Sequence, residues 1–292
     1  MLANKNLLFY FLKLKSKIFS FLPRNITIGL GRMLGYFMYY IVPLRKKVAL
    51  ANLKIAFPEK SISEIRLLLK KCYIHFGILA SDFLRLPRLN KYNIDEIIKI
   101  DKKTKNILNK NCPAIIMTGH IGNWELLLPA LGYNNYYSSG VARTQKNKSG
   151  EKFFNWIRNC DNSNLIPKKK SIHAMNKALD NNHYLILASD QSAGQKGTLN
   201  KFFNNHTSTP KGAAIFHLKK NVPIIIIFVI RRKTNTYKLV TNILDIKFKE
   251  ETDDEKIKII NDFYNLELEK IIKKYPNQYF WFHRKWTKKH YQ

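Results

Sequence analysis

The stretch Val222-Pro223-Ile224-Ile225-Ile226-Ile227-Phe228-Val229-Ile230 is composed almost wholly of Ile, Val and Phe. A strand of this composition has no polar face, so we expect it to lie in a sheet that is covered on both sides. Shorter apolar runs from Ala114 to Thr118 and from Tyr184 to Ala188 predict two more strands, and helical stretches lie between the strands. This alternation predicts an α/β protein, specifically a single α/β sandwich with a mixed central sheet flanked by helices.

Capping and proline signals mark several helix boundaries. Ser61-Ile62-Ser63-Glu64 is a capping box that predicts a helix to about Arg85. Thr209-Pro210 predicts another helix start, with the proline in the first turn. A long helix is predicted from Asp253 to Lys274, and the segment from Tyr237 to Phe248 predicts one or two strands.

The charge of the chain is unusual: its 292 residues include 51 Lys and Arg against 20 Asp and Glu, a net charge of +31. Such a protein is expected to bind polyanions, namely nucleic acid, anionic lipid or an acidic protein. The first 58 residues contain ten Lys and Arg and no acid, and they include long apolar runs. This combination favours an anionic membrane surface and argues against nucleic acid as the partner. Three cysteines without C-x-x-C spacing exclude a disulfide framework.

Residues 1–45 are predicted to attach the protein to a membrane, and residues 46–292 to form the main domain. Leu7 to Leu22 forms a helical pattern with one apolar side, typical of a helix lying in the membrane interface. Ile26 to Pro43 is apolar except for Arg32, and its 18 residues are marginal against the ~20 that span a bilayer. Two interpretations are open: the second run spans the membrane, or it belongs to a buried or re-entrant hairpin.

A histidine follows the first predicted strand, in the sequence Thr118-Gly119-His120-Ile121-Gly122-Asn123-Trp124-Glu125. Glycines on both sides of His120 let the backbone turn sharply and leave the imidazole open to a substrate. Glu125 falls in the first turn of the next helix and is predicted to hold one ring nitrogen, which raises the basicity of the other. This pair suits general-base catalysis on an acceptor hydroxyl. The spacing alone also fits a structural loop histidine beside a helix-terminal glutamate.

The block from Gly119 to Glu125 resembles the H-x4-D/E block of the glycerolipid and lysophospholipid acyltransferase superfamily. More narrowly, it is similar to the G-H-F-G-N-W-E of the late acyltransferases of lipid A biosynthesis. Tyr275-Pro276-Asn277-Gln278-Tyr279-Phe280-Trp281-Phe282-His283-Arg284-Lys285-Trp286 matches the carboxy-terminal signature of that family nearly residue for residue. Asn204 stands where the family usually has glycine, and asparagine tolerates a left-handed backbone. Further similar blocks are Asn52-Leu53 with Phe57-Pro58-Glu59, Phe83-Leu84-Arg85-Leu86-Pro87, Val141-Ala142-Arg143, Asp190-Gln191 with Phe202-Phe203, and Thr209, Ala213 and Ala214 with Val222-Pro223.

The resemblance implies an O-acyltransferase in which residues 46–292 are the acyltransferase domain. It would move a fatty acyl chain from acyl carrier protein to a hydroxyl of a lipid A precursor, with His120 as general base and Glu125 as its orienting residue. The other implied partner is anionic inner-membrane lipid, at the cytoplasmic face of the bacterial inner membrane, and neither a cofactor nor a metal is expected. The residues implied to bind substrate are Asn123, Arg143, Asp190, Gln191, His283 and Arg284.

Several alternatives stay open from the sequence. The acceptor could be a glycerophospholipid or a glycosylated phosphoinositide, or the protein could be a non-catalytic basic module that binds membranes or nucleic acid. The aromatic block around His283 and Arg284 fits either a packed core or a contact with an anionic head group. Lys168, Lys169 and Lys170 form a cluster that is predicted to help capture the acidic carrier protein by electrostatic attraction.

Overall fold

Seven strands form the central sheet of the computed structural model, which describes residues 6–169 and 171–291. They are β1 (Ile98–Lys99), β2 (Ala114–Thr118), β3 (Ser138–Ala142), β4 (Ser163–Pro167), β5 (Tyr184–Ala188), β8 (Ile224–Arg231) and β9 (Tyr237–Ile243), and a separate hairpin consists of β6 (Thr198–Phe202) and β7 (Asn205–Thr209). The strand order is β1-β9-β8-β2-β5-β3-β4. Neighbouring strands are parallel except β8 and β9, which are antiparallel. The predicted mixed sheet is therefore confirmed.

Helices cover both faces of this sheet. In the described part of the chain they are α1 (Leu7–Phe21), α2 (Arg24–Tyr40), α3 (Lys46–Ala56), α4 (Ile62–Leu84), α5 (Ile94–Ile97), α6 (Lys102–Lys110), α7 (Leu127–Gly132), α8 (Lys148–Ile157), α9 (Ile172–Asp180), α10 (Gly212–Lys220) and α11 (Asp253–Lys274). The predicted capping box begins α4: Ser61 Oγ accepts a hydrogen bond from the backbone N–H of Glu64, whose carboxylate accepts one from the backbone N–H of Ser61.

The strand rich in Ile and Val is buried on both faces, as its composition predicts. Along β8, Ile224 packs into the core on one side of the sheet and Ile225 into the core on the other, and this alternation continues through the strand. Strand β2 alternates in the same way, with Ile115 and Ile116 on opposite sides. Two hydrophobic cores thus sandwich the sheet and fix the position of the loops that follow β2 and β5.

Several predicted boundaries need correction. Helix α10 begins at Gly212, so Pro210 lies before the helix and not in its first turn. The hairpin β6–β7 was not predicted, whereas the segment from Tyr237 to Phe248, predicted as one or two strands, contains one, β9, as expected. Asn204 lies in the turn of that hairpin with a φ of +58°, which confirms that asparagine supports the left-handed backbone there.

Helix α2 packs closely on α4 through glycines. A Cβ atom built at Gly35 would lie 2.4 Å from Cα of Ile74, and one built at Gly77 would lie 2.1 Å from the carbonyl oxygen of Gly31. Side chains larger than hydrogen would separate the two helices, so these glycines allow the close backbone contact. The first two helices are consequently joined to the main domain by a tight helix–helix interface.

The outer side of α1 and α2 is apolar and exposed. None of the helices in the described ranges combines the length and the apolarity that crossing a bilayer requires. Attachment of residues 1–45 to a membrane stays a prediction. The exposed apolar side of α1 and α2 is the surface that would contact the membrane. The large hydrophobic residues on this surface are Leu7, Leu8, Tyr10, Phe11, Leu14, Ile18, Phe21, Ile26, Leu30, Met33, Leu34, Tyr36, Phe37, Tyr40, Ile41, Val42 and Leu44.

Candidate active site

The predicted base, His120, lies beside Asp190 at the carboxyl edge of the sheet. Strands β2 and β5 are parallel neighbours that end in register, with Thr118 opposite Ala188. His120 and Asp190 each follow two residues later, and Nδ1 of the imidazole lies 2.8 Å from Oδ1 of the carboxylate. The Asp190 side chain is 2% exposed, whereas that of His120 is 26% exposed. The imidazole is thus accessible on one side and anchored by a buried carboxylate on the other.

The electrostatics of this pair favour a charged carboxylate and a basic imidazole. Burial alone would lower the pKa of His120, but the charge and hydrogen bond of Asp190, together with the charge of Glu125, raise the pKa above its usual value. Burial would raise the pKa of Asp190, but His120 lowers it below its usual value. Nδ1–H therefore donates to Asp190. Nε2 makes no hydrogen bond within the described residues and is left for a substrate.

Glu125 does not hold the imidazole, which corrects the predicted His120–Glu125 hydrogen bond. Its two carboxylate oxygens accept a bidentate pair of bonds from Arg158, at 2.8 Å from Nε and 2.7 Å from Nη2. Trp124 Nε1 adds a third bond to the same carboxylate at 3.1 Å. The spacing of five residues suggested a local partner, but the chain after His120 enters a short 3₁₀ turn, and Glu125 pairs with Arg158, which directly follows α8.

The loop that carries His120 is held by backbone contacts on both sides. Gly122 has a φ of +62°, and a Cβ there would lie 1.7 Å from the carbonyl oxygen of Val229, so glycine is required. The backbone N–H of Gly122 donates to Gln278 at 2.9 Å, and that of Phe280 donates to the carbonyl oxygen of His120 at 2.9 Å. The two blocks that carry the family resemblance are therefore in direct contact.

A buried histidine on α4 supports the same loop. His75 is fully buried, and its Nε2 donates to the carbonyl oxygen of Gly122 at 3.1 Å while Arg231 Nε donates to its Nδ1 at 3.3 Å. Burial, aided by the charge of Arg231, lowers the pKa of His75 to about 3, so the ring is neutral. Sequence analysis missed this residue because no local motif marks it.

Aromatic rings form a wall beside the accessible side of His120. The Trp124 ring lies 4.9 Å from the imidazole, centroid to centroid, and the Phe280 ring lies 6.2 Å from it. Phe76 of α4 contacts both rings, at 6.1 Å and 5.3 Å. Phe280 belongs to the carboxy-terminal block, most of whose other aromatic residues are buried. That block therefore supplies both a packed core and one side of the site.

The remaining residues that were predicted to bind substrate differ in how far they are exposed to solvent. Arg143 is exposed and lines a cleft of about 240 Å³ at the carboxyl edge of β3 and β4. Arg284 is exposed and stacks on a tyrosine ring, and His283 is half-buried. Asn123 is fully buried, with neither amide atom bonded within the described residues, and Gln191 is partly buried. Arg143 and Arg284 are thus presented to solvent and Asn123 is not.

A buried lysine also lies near the pair, and sequence analysis did not single it out. Lys285 is 2% exposed, and its Nζ has no hydrogen-bond partner in the described part of the chain. It lies 4.8 Å from the centroid of the Phe202 ring. Burial lowers its pKa to about 8, against the opposing effects of Asp190 and Glu269. The carboxylate of Asp190 thus has a second cation in its surroundings besides His120.

The family model of bacterial lipid A biosynthesis acyltransferases matches residues 2–288. The chain belongs to this family. The resemblance that the blocks at 119–125 and 275–286 indicated is thereby confirmed. A comparison with curated proteins finds no match.

Membership in the lipid A biosynthesis acyltransferase family implies an acyltransferase of lipid A and lipopolysaccharide biosynthesis, with a lipid A type of acceptor. The family is associated with the bacterial inner membrane. The site described above is compatible with acyl transfer, since it combines an accessible imidazole nitrogen with a buried carboxylate and an apolar wall. Within residues 6–169 and 171–291, no three His, Cys, Asp or Glu side chains are grouped as a metal site.

Proposed function

We propose that this protein transfers a fatty acyl chain from acyl carrier protein to a hydroxyl of a lipid A precursor, with His120 as general base. The observation that carries the proposal is the Nδ1 bond of His120 to buried Asp190, which leaves Nε2 accessible beside an apolar wall. In this arrangement Nε2 of His120 faces the position where the hydroxyl of the lipid substrate and the thioester of the acyl donor would meet.

The proposed reaction needs no covalent enzyme intermediate. Nε2 of His120 takes the proton of the acceptor hydroxyl as its oxygen attacks the thioester carbonyl carbon. The resulting tetrahedral intermediate collapses with cleavage of the C–S bond, and the imidazolium returns the proton to the departing thiolate. Asp190 fixes the tautomer with Nδ1 protonated and stabilises the imidazolium. The products are an ester and the free thiol of the carrier.

Glu125 is proposed to act through Arg158 and not through the imidazole. Its bidentate pair with Arg158 joins the turn after His120 to the residue that directly follows α8, and the side chains of Glu125 and Arg158 are only 11% and 18% exposed. A charge pair of this geometry holds both elements in a fixed relation. Glu125 and Arg158 are therefore positioning residues in this proposal.

Positive groups around the dyad are proposed to bind the anionic parts of the substrates. Arg143 and Lys168 follow β3 and β4, which end at the same edge of the sheet as β2 and β5. His283 and Arg284 follow the aromatic segment that contacts the catalytic loop. Because the acceptor carries phosphates and the carrier protein is acidic, both fit a positively charged approach to His120. The apolar wall around Trp124 fits the acyl chain.

The exposed apolar side of α1 and α2 is proposed to rest in the cytoplasmic leaflet of the inner membrane. Its exposed tyrosines lie among large apolar side chains, a composition suited to the interface between head groups and acyl chains. Such a position would bring the catalytic edge near a lipid acceptor that never leaves the membrane.

The test uses the purified full-length protein in detergent with a fatty acyl carrier protein and a lipid A precursor. Mass spectrometry should show the acceptor gaining one acyl ester with the wild type, and turnover should fall at least ~10²-fold in His120→Ala. His173→Ala is the matched control, since His173 is exposed and outside the site. Transfer to a glycerophospholipid but not to the lipid A precursor would contradict the proposed acceptor. Full activity of His120→Ala would contradict the proposed base.

A further inference from the structure

A cleft of about 330 Å³ opens where the turn between α1 and α2 meets the end of α4. Three arginines line it: Arg24 at the start of α2, Arg85 directly after α4, and Arg88 three residues further along the chain. The cleft does not include His120 or Asp190 among its lining residues. Three guanidinium groups around one cavity mark it as a place for an anion.

One of the three arginines already has an acidic partner. Arg24 donates to Asp82 through Nε at 3.2 Å and through Nη2 at 3.1 Å. The carboxylate of Asp82 also accepts a hydrogen bond from the hydroxyl of Tyr237. Both oxygens of Asp82 are therefore engaged, and Asp82 serves to hold the α1–α2 turn against α4 and the sheet.

The other two arginines bind only carbonyl oxygens among the described residues. Arg85 Nη1 donates to the carbonyl oxygens of Phe19 and Leu22 at the end of α1. Arg88 Nη1 donates to the carbonyl oxygen of Ser20 at 2.9 Å. Each guanidinium has five N–H donors, so most of the donors of both remain free. Neither has a carboxylate within 4.0 Å in the described part of the chain.

The positive charges crowd one another at this position. Burial lowers the pKa of Arg85, and the neighbouring Arg88 and Arg24 lower it further, against the opposing effect of Asp82. Arg85 is 8% exposed, so solvent screens its charge poorly. Glu96 lines the same cleft, but its side chain is exposed and, among the described residues, it pairs with no arginine. An anion that enters the cleft would relieve the repulsion between Arg85 and Arg88.

The surroundings of the cleft indicate which anion would reach it. Phe21 lines its rim and is 84% exposed, and Ile18 and Ile26 nearby are 50% and 51% exposed. These side chains continue the apolar side of α1 and α2. A ligand that fits both the arginine-lined cleft and this apolar side has a negatively charged head group attached to apolar chains. A membrane lipid does so, because its acyl chains would meet the apolar side while its head group enters the cleft.

We propose that this cleft binds the phosphate group of an anionic membrane lipid, with Arg85 and Arg88 as its principal donors. Guanidinium groups match phosphate oxygens in geometry and charge, so two such groups form a specific site rather than a diffuse attraction. The site would fix the depth and orientation of the α1–α2 turn at the membrane. It does not depend on acyl transfer, and its test is a binding measurement.

The test compares Arg88→Gln with Arg66→Gln in the full-length protein. Arg88 is exposed and makes one backbone contact, so its replacement leaves the fold intact. Arg66 is an exposed arginine of α4, and at about 1.5 Å per residue it lies roughly 28 Å along the helix from Arg85. Both variants lose one positive charge. A general attraction to anionic lipid would therefore weaken equally in the two proteins.

Binding of short-chain phosphatidylglycerol and phosphatidylcholine is measured in detergent, alongside inorganic phosphate. Phosphatidylglycerol should bind saturably to the wild type and to Arg66→Gln, and about tenfold more weakly to Arg88→Gln. Glu96→Gln removes the carboxylate that would repel the lipid phosphate, so this variant should bind phosphatidylglycerol more tightly than the wild type. Equal weakening in Arg88→Gln and Arg66→Gln would overturn the site. Binding of phosphatidylcholine or inorganic phosphate as tight as that of phosphatidylglycerol would overturn the assignment to an anionic lipid.

Discussion

Asp190 accepts a hydrogen bond from Nδ1 of His120 at 2.8 Å, although 70 positions of the chain separate the two residues. The contact follows from the order of the sheet, because β2 and β5 are parallel neighbours that end in register. The carboxylate of Asp190 is buried, whereas the imidazole of His120 is partly exposed. The negative charge therefore lies inside the protein, and Nε2, which would accept the proton, faces the outside. A change at Asp190 should consequently alter both the turnover and the proton affinity of the imidazole.

Asp190→Asn should lower turnover and move its pH dependence. His120 must be neutral to accept a proton, so activity falls as the pH decreases through its pKa, which Asp190 raises above the usual value. Without that charge, burial lowers the pKa, and the acidic limb of the kcat/KM profile should move to lower pH. We expect turnover to fall by about 10–10³-fold, because the tautomer is no longer fixed. Profiles of the wild type and the variant measure both effects.

Asp180→Asn is the control for this comparison, since Asp180 is 58% exposed and forms a surface pair with Lys220. It should leave the limb in place. An acidic limb that stays unchanged in Asp190→Asn would show that the residue titrating in the profile is not His120.

Glu125 and Arg158 should behave as one unit in a double-mutant cycle. Glu125→Gln or Arg158→Gln alone leaves a mostly buried charge without its partner, and each should lower the free energy of unfolding by about 2–4 kcal/mol. Glu125→Gln with Arg158→Gln removes both charges and should lose much less than the sum of the single losses. Denaturant unfolding and turnover measured on all four proteins test this. Additive losses would mean that Glu125 and Arg158 are not coupled and would contradict the prediction.

The sequence predicted strand β8 and the base because both have local signals. Strand β8 has an uninterrupted apolar composition, and His120 follows a strand end between two glycines. The partner of His120 could not be predicted in this way. Asp190 was predicted from the family resemblance as a substrate-binding residue. Its contact with the imidazole depends on the neighbouring position of β2 and β5, and strand order is set by the packing of the whole domain. Glu125 was chosen because it is near in sequence.

The missed strands have a related explanation. Strand β4 lies at the edge of the sheet, and only Ile166 of its five residues is buried, so it lacks a clear apolar pattern. The hairpin β6–β7 turns through Phe203 and Asn204, both with positive φ, where a typical signal would contain glycine. A carboxylate of α11 supports this turn, since Glu269 accepts a hydrogen bond from the backbone N–H of Phe203 at 2.7 Å. This contact depends on tertiary structure.

Gly35→Ala should destabilise the protein, whereas Gly29→Ala on the same helix should not. A Cβ at Gly35 meets the backbone of α4 at 2.4 Å, and we expect a loss of about 1–3 kcal/mol or more in the free energy of unfolding. A Cβ at Gly29 meets nothing within 4 Å. Gly29→Ala should leave the free energy of unfolding unchanged or raise it by up to about 1 kcal/mol, because alanine has the higher helix propensity. Denaturant unfolding in detergent measures both, and equal stability of the two variants would contradict close packing of α2 on α4.

The cluster predicted to attract the acyl donor is placed at the catalytic edge of the sheet. Lys168 and Lys169 directly follow β4 and are exposed, without a salt-bridge partner among the described residues, and Lys170 lies outside them. The backbone N–H of Lys168 donates to the carbonyl oxygen of Ala142 at 2.8 Å, which fixes the start of the cluster next to Arg143. Exposed lysines at the opposite edge of the sheet lie far from this cluster and can serve as controls for its charge.

Reversing the charge of Lys168 and Lys169 to Glu should raise the KM for the acyl carrier protein donor and leave kcat nearly unchanged. A donor that must be captured and released once per transfer favours electrostatic attraction, which accelerates association without strengthening the transition state. The wild-type KM should also rise with ionic strength, because salt screens exposed charges beyond about 10 Å at 0.1 M. Lys110→Glu with Lys219→Glu is the control. Both lysines are exposed and lie in the last turns of α6 and α10, just before β2 and β8 begin at the opposite edge of the sheet. An equal rise in KM for both double variants, or a KM independent of salt, would contradict capture of the donor by this cluster.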